Sequence, residues 1–176
     1  MTPEYTKYAQ KAIDWAMDRL GSPDYATRCL AFVEDAYERA NDIEIFGGDF
    51  AAESAEQYGA RADLGEPPLG AFVFYDTTGT LGGERRNWGH VGLCVGAGRV
   101  VHAWDEVRVD HYLDVERLEN APGWEAPSYA GWAPVERVFE GHAPVKDWSA
   151  AGDAAAAAVR AQEERFGTAG TGPAVP

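Results

Sequence analysis

The periodicity of apolar residues changes once along this chain, near residue 70, and this change restricts the folds that it can adopt. Between residues 5 and 20, apolar side chains recur at steps of three and four, which is typical of an amphipathic helix. A second helical stripe runs over residues 29–40, with Glu34 and Glu38 expected to face water. After residue 70 the apolar runs are short and are separated by turn residues. Helices followed by strands predict an α+β fold class, with helices packed on an antiparallel sheet.

Capping and turn residues indicate where these elements begin and end. Gly21 ends the first helix, Thr27 is expected to cap the second, and Asp49 is expected to cap a short third helix that Gly59 closes. Residues 1–140 are predicted to form one domain. Residues 141–176 are predicted to add an Ala-rich helix and a flexible tail. The predicted strands cover residues 71–75, 90–95, 99–104, 107–112 and 129–135.

Composition and charge exclude several classes of protein. Hydrophobic residues make up 45% of the chain, which is typical of a globular domain and not of a disordered one. The net charge of −14 repels phosphate groups, so neither nucleic acid nor an anionic membrane is expected as a partner. The first residues lack the basic and apolar regions of a secretory signal. We therefore expect cytoplasmic synthesis, with a phage particle, lysis or a partner secretion system as routes of delivery. The sequence carries no signal for an oligomeric state.

The chain has two cysteines, too few for a disulfide framework and without the spacing of a zinc site. No metal or organic cofactor is expected. Cys29 falls in the first turn of the second helix, where unpaired N–H groups and the helix dipole can stabilise a thiolate. The alternative is a small buried apolar side chain. Cys94 lies four residues after His90 on one strand, about 13 Å away at the usual rise per residue. It is therefore expected to be a core residue and not the thiol that pairs with His90.

Two histidines occupy neighbouring predicted strands. In the first strand His90, Gly92 and Cys94 share one face, and the glycine leaves room for another backbone or a substrate. The second strand carries His102 and follows a glycine-flanked turn, so the two imidazoles can approach each other. The second ring can then fix the tautomer and orientation of the first. Each histidine alone is more often structural, but thiol, base and orienting group together make an activated nucleophile.

The order of these motifs resembles that of the NlpC-type cell-wall peptidases and the related CHAP amidases, which share a papain-like core. The resemblance rests on Tyr25 followed by Cys29 on a helix, the run of residues 89–96, and a second histidine twelve residues after the first. It covers about residues 5–140. It implies that Cys29 is the nucleophile, His90 the base and His102 the polar third residue. It also implies that the Tyr25 hydroxyl lines the site near the oxyanion.

The chain departs from that family in the residues around the thiol. Many wall peptidases have Asp-Cys-Ser, whose flanking pair helps to bind a free amine, whereas Arg28 and Leu30 flank Cys29 here. The resemblance implies a cysteine peptidase or amidase that cleaves an amide bond in a peptidoglycan fragment through a thioester. A papain-like acyltransferase or deamidase is one alternative. A catalytically silent binding module is the other.

Several further residues are candidates for substrate binding. Arg86 and its neighbour Arg85 could hold a substrate carboxylate, while Trp88 and Trp104 could wall a cleft. Arg28 is likewise expected to favour a substrate carboxylate or carbonyl oxygen over an ammonium group. The alternative for the arginine pair is a solvated loop with ordinary surface ion pairs.

Overall fold

The computed structural model describes residues 2–145. The helices are α1 (Pro3–Met17), α2 (Cys29–Asn41), α3 (Ala51–Tyr58) and α4 (Val135–Val138), with 3-10 turns at Ala62–Leu64 and Val115–Arg117. The strands are β1 (Ile43–Glu44), β2 (Phe72–Asp76), β3 (Thr78–Leu81), β4 (Glu84–Asn87), β5 (His90–Gly96), β6 (Arg99–Ala103), β7 (Val107–His111), β8 (Ser128–Ala133) and β9 (Ala143–Pro144). The predicted Ala-rich helix and tail lie outside the described residues, apart from the first few positions after residue 140.

A five-stranded antiparallel sheet, in the order β7-β6-β5-β2-β8, forms the centre of the fold. Helix α2 lies against β5 and β6, and α1 packs on α2. Val91 and Leu93 on one sheet face share a core with Phe32 of α2. Cys94 belongs to a second apolar cluster on the other face, as the alternation of a strand requires. The predicted α+β class and antiparallel sheet are therefore confirmed.

The five long strands match their predicted positions to within about two residues at each end. The β3-β4 hairpin was not predicted, because its sequence is polar and rich in glycine. Its packing explains why it forms. A Cβ atom at Gly79 would lie 2.0 Å from the ring of Trp124, so only glycine allows this strand to lie flat on the indole. The pairing of β1 with β9 also carries the fold past residue 140, as far as the bond from Val145 N–H to the Asp42 carbonyl.

The two predicted helix caps are wrong. Arg28 is the N-cap of α2 and donates or accepts no capping bond through its side chain, while Thr27 adopts φ of 69°. Phe50 is the N-cap of α3, and Asp49 instead donates its N–H to the Glu53 carboxylate. In both cases the direction of the incoming chain decides the cap, and that direction is set by tertiary packing.

The prediction that Glu34 faces water is also wrong. This side chain is only partly exposed, and burial raises its pKa well above the ordinary range, with further contributions from Glu38 and Asp35. The segment after β1 covers it. A Cβ atom at Gly47 would lie 2.9 Å from Glu34 Oε1 and 2.6 Å from the Tyr58 hydroxyl, so the loop approaches closely enough to require glycine. None of the described helices is long and apolar enough to cross a bilayer.

Candidate active site

Cys29 is the first residue of α2, and only 5% of it is exposed. Burial raises the pKa of its thiol to about 12, although the backbone N–H groups of Val91 and Leu30 act in the opposite direction. The sequence predicted a stabilised thiolate at this helix terminus. That expectation is wrong for this structure, because the loss of water around the sulfur outweighs the nearby amide donors. The thiol is protonated at neutral pH.

His90 and His102 are completely buried and bonded to each other. His90 Nε2 lies 2.9 Å from His102 Nδ1, and the ring planes are inclined by 76°. Gly92 makes this approach possible. A Cβ atom there would lie 2.9 Å from His102 Cβ and 2.3 Å from Val100 Cγ1. The room that this glycine leaves is therefore filled by β6, through these two side chains and through the Val101 backbone carbonyl, whose oxygen lies 3.1 Å from the same position.

Asp110 on β7 extends the histidine pair, and the sequence analysis missed it. His102 Nε2 lies 3.0 Å from Asp110 Oδ2. Arg108 binds the same carboxylate through two bonds, Nε to Oδ2 at 2.6 Å and Nη2 to Oδ1 at 3.1 Å. The signal for Asp110 was present in the alternation of residues 107–111, which places Arg108 and Asp110 on the face opposite the valines. The alternation did not predict that His102 lies beside that face.

The charges of this network follow from burial and from the bonds just described. Burial lowers the pKa of both His90 and His102 below the usual range. The neighbouring His102 ring lowers the pKa of His90 further. The bonds from His102 and Arg108 lower the pKa of Asp110. At neutral pH the site therefore holds two neutral imidazoles beside an ionised carboxylate.

One nitrogen of His90 has no hydrogen-bond partner. Nδ1 is buried and unpartnered, so the structure contains no hydrogen bond between it and the Cys29 thiol. The two groups are nevertheless neighbours in the fold, since the Val91 amide that acts on the thiol belongs to the residue after His90. Trp104 packs edge-on against the His90 ring at 5.0 Å between centroids. This tryptophan therefore lies beside His90, with its indole N–H donated to the Glu119 carbonyl.

Trp88 and Arg86 lie in the β3-β4 hairpin region and not directly at the histidines. Trp88 donates its indole N–H to the Gly79 carbonyl and packs against Phe50. The Arg86 guanidinium lies 4.4 Å from the Phe50 ring centroid and pairs with Glu84 at 3.2 Å. Arg85 pairs with Glu125, in the segment before β8, at 2.8 Å. These contacts match the surface ion pairs that were the alternative to carboxylate binding.

Tyr25 and Arg28 precede Cys29 but their polar groups are directed elsewhere. The Tyr25 hydroxyl donates to Asp35 Oδ2 at 2.6 Å, and burial together with this bond raises the Tyr25 pKa. Asp35 lies six residues after Cys29, about 9 Å along the helix axis. The exposed Arg28 guanidinium donates to the Asp24 carbonyl and lies 5.3 Å from the Tyr25 ring centroid. The structure thus holds the tyrosine hydroxyl on an acid of α2 and not at the thiol.

Within residues 2–145, no three His, Cys, Asp or Glu side chains are grouped so that they could hold a metal ion.

No family model and no curated protein matches the sequence. Comparison with solved structures finds RipD from Mycobacterium tuberculosis, a non-catalytic NlpC/p60 domain protein with an adaptation to peptidoglycan binding. It has a TM-score of 0.46 and 14% identity, covering 73% of this chain and 97% of RipD.

Two further solved structures are similar. The peptidoglycan hydrolase RipB from Mycobacterium tuberculosis has a TM-score of 0.48 and 13% identity, covering 77% of this chain and 68% of its own. A mutated form of RipA, a Resuscitation Promoting Factor interacting protein, has a TM-score of 0.42 and 13% identity, covering 74% of this chain and 65% of its own. The structural matches thus include the NlpC/p60 domain, the family that the motifs around Cys29, His90 and His102 resemble.

Proposed function

We propose that this protein is a cysteine hydrolase that cleaves an amide bond in a peptidoglycan-type peptide, with Cys29 as nucleophile and His90 as general base. The observation that carries the proposal is the free Nδ1 of His90. This nitrogen is buried and unpartnered, and it belongs to the residue next to the amide at the Cys29 thiol. A buried nitrogen without a partner is costly in a purely structural role, whereas a base requires it.

The protonation states favour a concerted first step. Because the thiol and the imidazole are both neutral in the closed site, no thiolate and imidazolium pair is formed in advance. The thiol proton moves to His90 Nδ1 while Cys29 Sγ bonds to the substrate carbonyl carbon. The carbonyl oxygen becomes an oxyanion, for which the Cys29 backbone N–H at the helix start is a donor.

The remaining steps return the enzyme to its starting state. The carbon–nitrogen bond breaks, and the proton on His90 passes to the leaving amine, which leaves a thioester on Cys29. Water then attacks the thioester carbon and gives one proton to His90. The carbon–sulfur bond breaks, and that proton returns to the sulfur as the carboxylic acid departs. His102 keeps the His90 ring in place throughout.

The substrate class rests on the resemblance of the sequence motifs to the NlpC-type family. Trp104, which packs on His90, is proposed to wall the cleft, while Trp88, Arg86 and Arg28 are proposed to contact the substrate farther from the thiol. Because only 5% of Cys29 is exposed, a substrate carbonyl must displace neighbouring side chains to reach the sulfur.

The same burial favours a second candidate function, a catalytically silent binding module. A protein that had lost substrate access would have a closed site of this kind, in which burial raises the pKa of the thiol to about 12. An acyltransferase or deamidase would share the chemistry and differ only in the acceptor of the acyl group.

Digestion of muropeptides followed by mass spectrometry tests these functions. The wild-type protein is expected to release peptide fragments with a free carboxyl terminus, and the Cys29→Ala variant is expected to release none. Products that carry an added amine would instead indicate acyl transfer. Retained binding of peptidoglycan with no product, and no reaction of Cys29 with a thiol-directed probe, would indicate the binding module.

A further inference from the structure

His102 lies between two hydrogen-bonding groups, and only one arrangement of its proton satisfies both. A neutral imidazole carries one N–H, so it donates at one nitrogen and accepts at the other. The Asp110 carboxylate can only accept, and it lies 3.0 Å from His102 Nε2. The His102 proton is therefore on Nε2, and Nδ1 accepts a bond from His90 Nε2 at 2.9 Å. It follows that the His90 proton is on Nε2 and that Nδ1 carries a lone pair.

We propose that Asp110 is a positioning residue that sets the tautomers of both histidines and so keeps His90 Nδ1 free to accept a proton. This inference rests on the proposed function for its purpose, but the tautomers follow from the bonds alone. The connection crosses three strands, from β7 through β6 to β5. In the opposite tautomer, the lone pair of His102 Nε2 would face the carboxylate oxygen at the same 3.0 Å, and two acceptors would repel each other.

Arg108 supports this assignment of the tautomers because it holds the Asp110 carboxylate ionised and in place. Its two bonds to Asp110 fix both carboxylate oxygens, so rotation of Asp110 away from His102 would break three bonds. Arg108 also lies 3.8 Å from Asp105, which balances part of its charge. Asp110 and Arg108 are both only partly exposed, so the pair is screened less than a surface ion pair.

Asp110 also supplies the negative charge that a protonated His90 requires. The first step of catalysis leaves an imidazolium in a completely buried position, where an uncompensated charge is costly. The aromatic rings that pack on it, Tyr75 and Trp104, are neutral. At His102, Asp110 and Asp105 favour the protonated ring and Arg108 opposes it, and this balance of charge reaches His90 through the bond between the two rings.

The ring nitrogens of the wild-type protein provide a test that needs no substrate. Labelling with ¹⁵N and recording two-bond nitrogen–proton correlations identifies which nitrogen of each ring is protonated. We expect Nε2–H on both His90 and His102 at neutral pH. A proton on His90 Nδ1 in the folded wild-type protein would overturn the proposal, whether or not a hydrolysable substrate has been found.

The Asp110→Asn variant tests the consequence for the thiol. Its amide has nearly the same shape but no charge, and it can present an NH2 group as well as an oxygen to His102 Nε2, which weakens the preference for one pair of tautomers. We expect the alkylation rate of Cys29 by iodoacetamide, and kcat on any cleaved peptide, to fall about 100-fold, with KM nearly unchanged. Asp114→Asn is the matched control, since Asp114 pairs with Arg117 outside this network, and it should react like the wild type.

Unchanged tautomers and unchanged alkylation in a folded Asp110→Asn protein would overturn the proposal. If that variant does not fold, Arg108→Gln removes the cation and keeps the carboxylate, and we expect it to lower the alkylation rate by less than Asp110→Asn would, about tenfold. Wild-type alkylation in folded Arg108→Gln, together with a proton on His90 Nδ1, would equally refute the assignment. Confirmed tautomers with no peptide cleaved would refute the proposed function and leave the role of Asp110 standing.

Discussion

The histidines of β5 and β6 and the arginines of the β3-β4 hairpin are all polar side chains, yet they lie in opposite environments. His90 and His102 are completely buried and bonded to each other and to Asp110. The side chains of Arg85 and Arg86 are 51% and 40% exposed and pair with surface acids. Polar groups are costly to bury, whereas exposed ion pairs contribute about 0–1 kcal/mol. The proposed chemistry therefore depends on the buried network and not on the exposed hairpin.

The largest effect is expected from removing the thiol. Cys29→Ala should lower the hydrolysis rate by about 10⁴-fold or more, because no other group supplies the nucleophile. Cys94→Ala is the matched control. Cys94 is buried on the other sheet face and donates to the Pro67 carbonyl at 3.2 Å, so its loss should cost about 1 kcal/mol of stability and leave turnover intact. Turnover in Cys29→Ala, together with its loss in folded Cys94→Ala, would contradict the site assignment.

The second largest effect is a difference in kcat between variants of the two histidines. His90→Ala should lower kcat by about 10³-fold, because it removes the group that accepts the proton. His102→Asn should cost less, about 10²-fold, because an amide can still accept a bond from His90 Nε2. Steady-state kinetics on the peptide identified by mass spectrometry would measure both. Equal losses would mean that His102 takes part in proton transfer itself.

The buried pair should also make stability depend on pH, unlike the exposed arginines. The pKa of each histidine is lower in the folded protein than its ordinary value of 6.5. Their contribution is therefore present above pH 6.5 and is lost as the pH falls, since the unfolded chain binds protons that the folded chain excludes. Each group accounts for up to about 1.4 kcal/mol per unit of pH.

Urea unfolding at a series of pH values between 7.5 and 5 would measure this loss. His102→Asn should reduce the slope. His111→Asn, at an exposed position outside the network, should keep the wild-type slope. Burial raises the pKa of Glu34 and Glu38, so these carboxyls change the stability with the opposite sign, and the test is the difference between the wild type and His102→Asn. An identical slope in these two proteins would show that the His102 ring is accessible to protons in the folded protein.

The arginine hairpin should respond weakly. Arg86→Ala should change the free energy of unfolding by less than about 1 kcal/mol, because its partner Glu84 is also exposed. If Arg86 binds a substrate carboxylate as proposed, KM should rise while kcat stays the same. Arg117→Ala, which breaks a similar exposed pair, is the control. An unchanged KM would mean that Arg86 does not bind the substrate and contributes only its contacts with Phe50 and Glu84.

The smallest difference is expected between two forms of one substrate. Because Arg28 stands where many wall peptidases have an aspartate, a stem-type peptide with an acetylated N-terminus should be cleaved as well as its free-amine form, or better. Relative kcat/KM values from a mixed digest would show this directly. A strong preference for the free amine would instead require an acid near the thiol.

The elements that were predictable from the sequence depend on short-range patterns. Short apolar runs bounded by turn residues placed β5, β6 and β7, since such runs are typical of strands. The β3-β4 hairpin lacks that pattern, because its stability comes from packing on Trp124, which lies 45 positions after Gly79 in the sequence. The helix caps failed for a related reason, as the chain enters α2 and α3 from directions that distant contacts impose.

The sequence by itself determined the identity of the candidate groups, because the spacing of Cys29, His90 and His102 is a property of order along the chain. Only the tertiary structure decided their state. Whether the thiol is ionised depends on how much water the surrounding residues exclude, and the result opposes what the helix terminus alone predicts. Asp110 entered the site for the same reason: pairing of β6 with β7 places it beside His102. Desolvation and cross-strand contacts depend on all the residues that surround a group in space. A local sequence pattern does not contain that information.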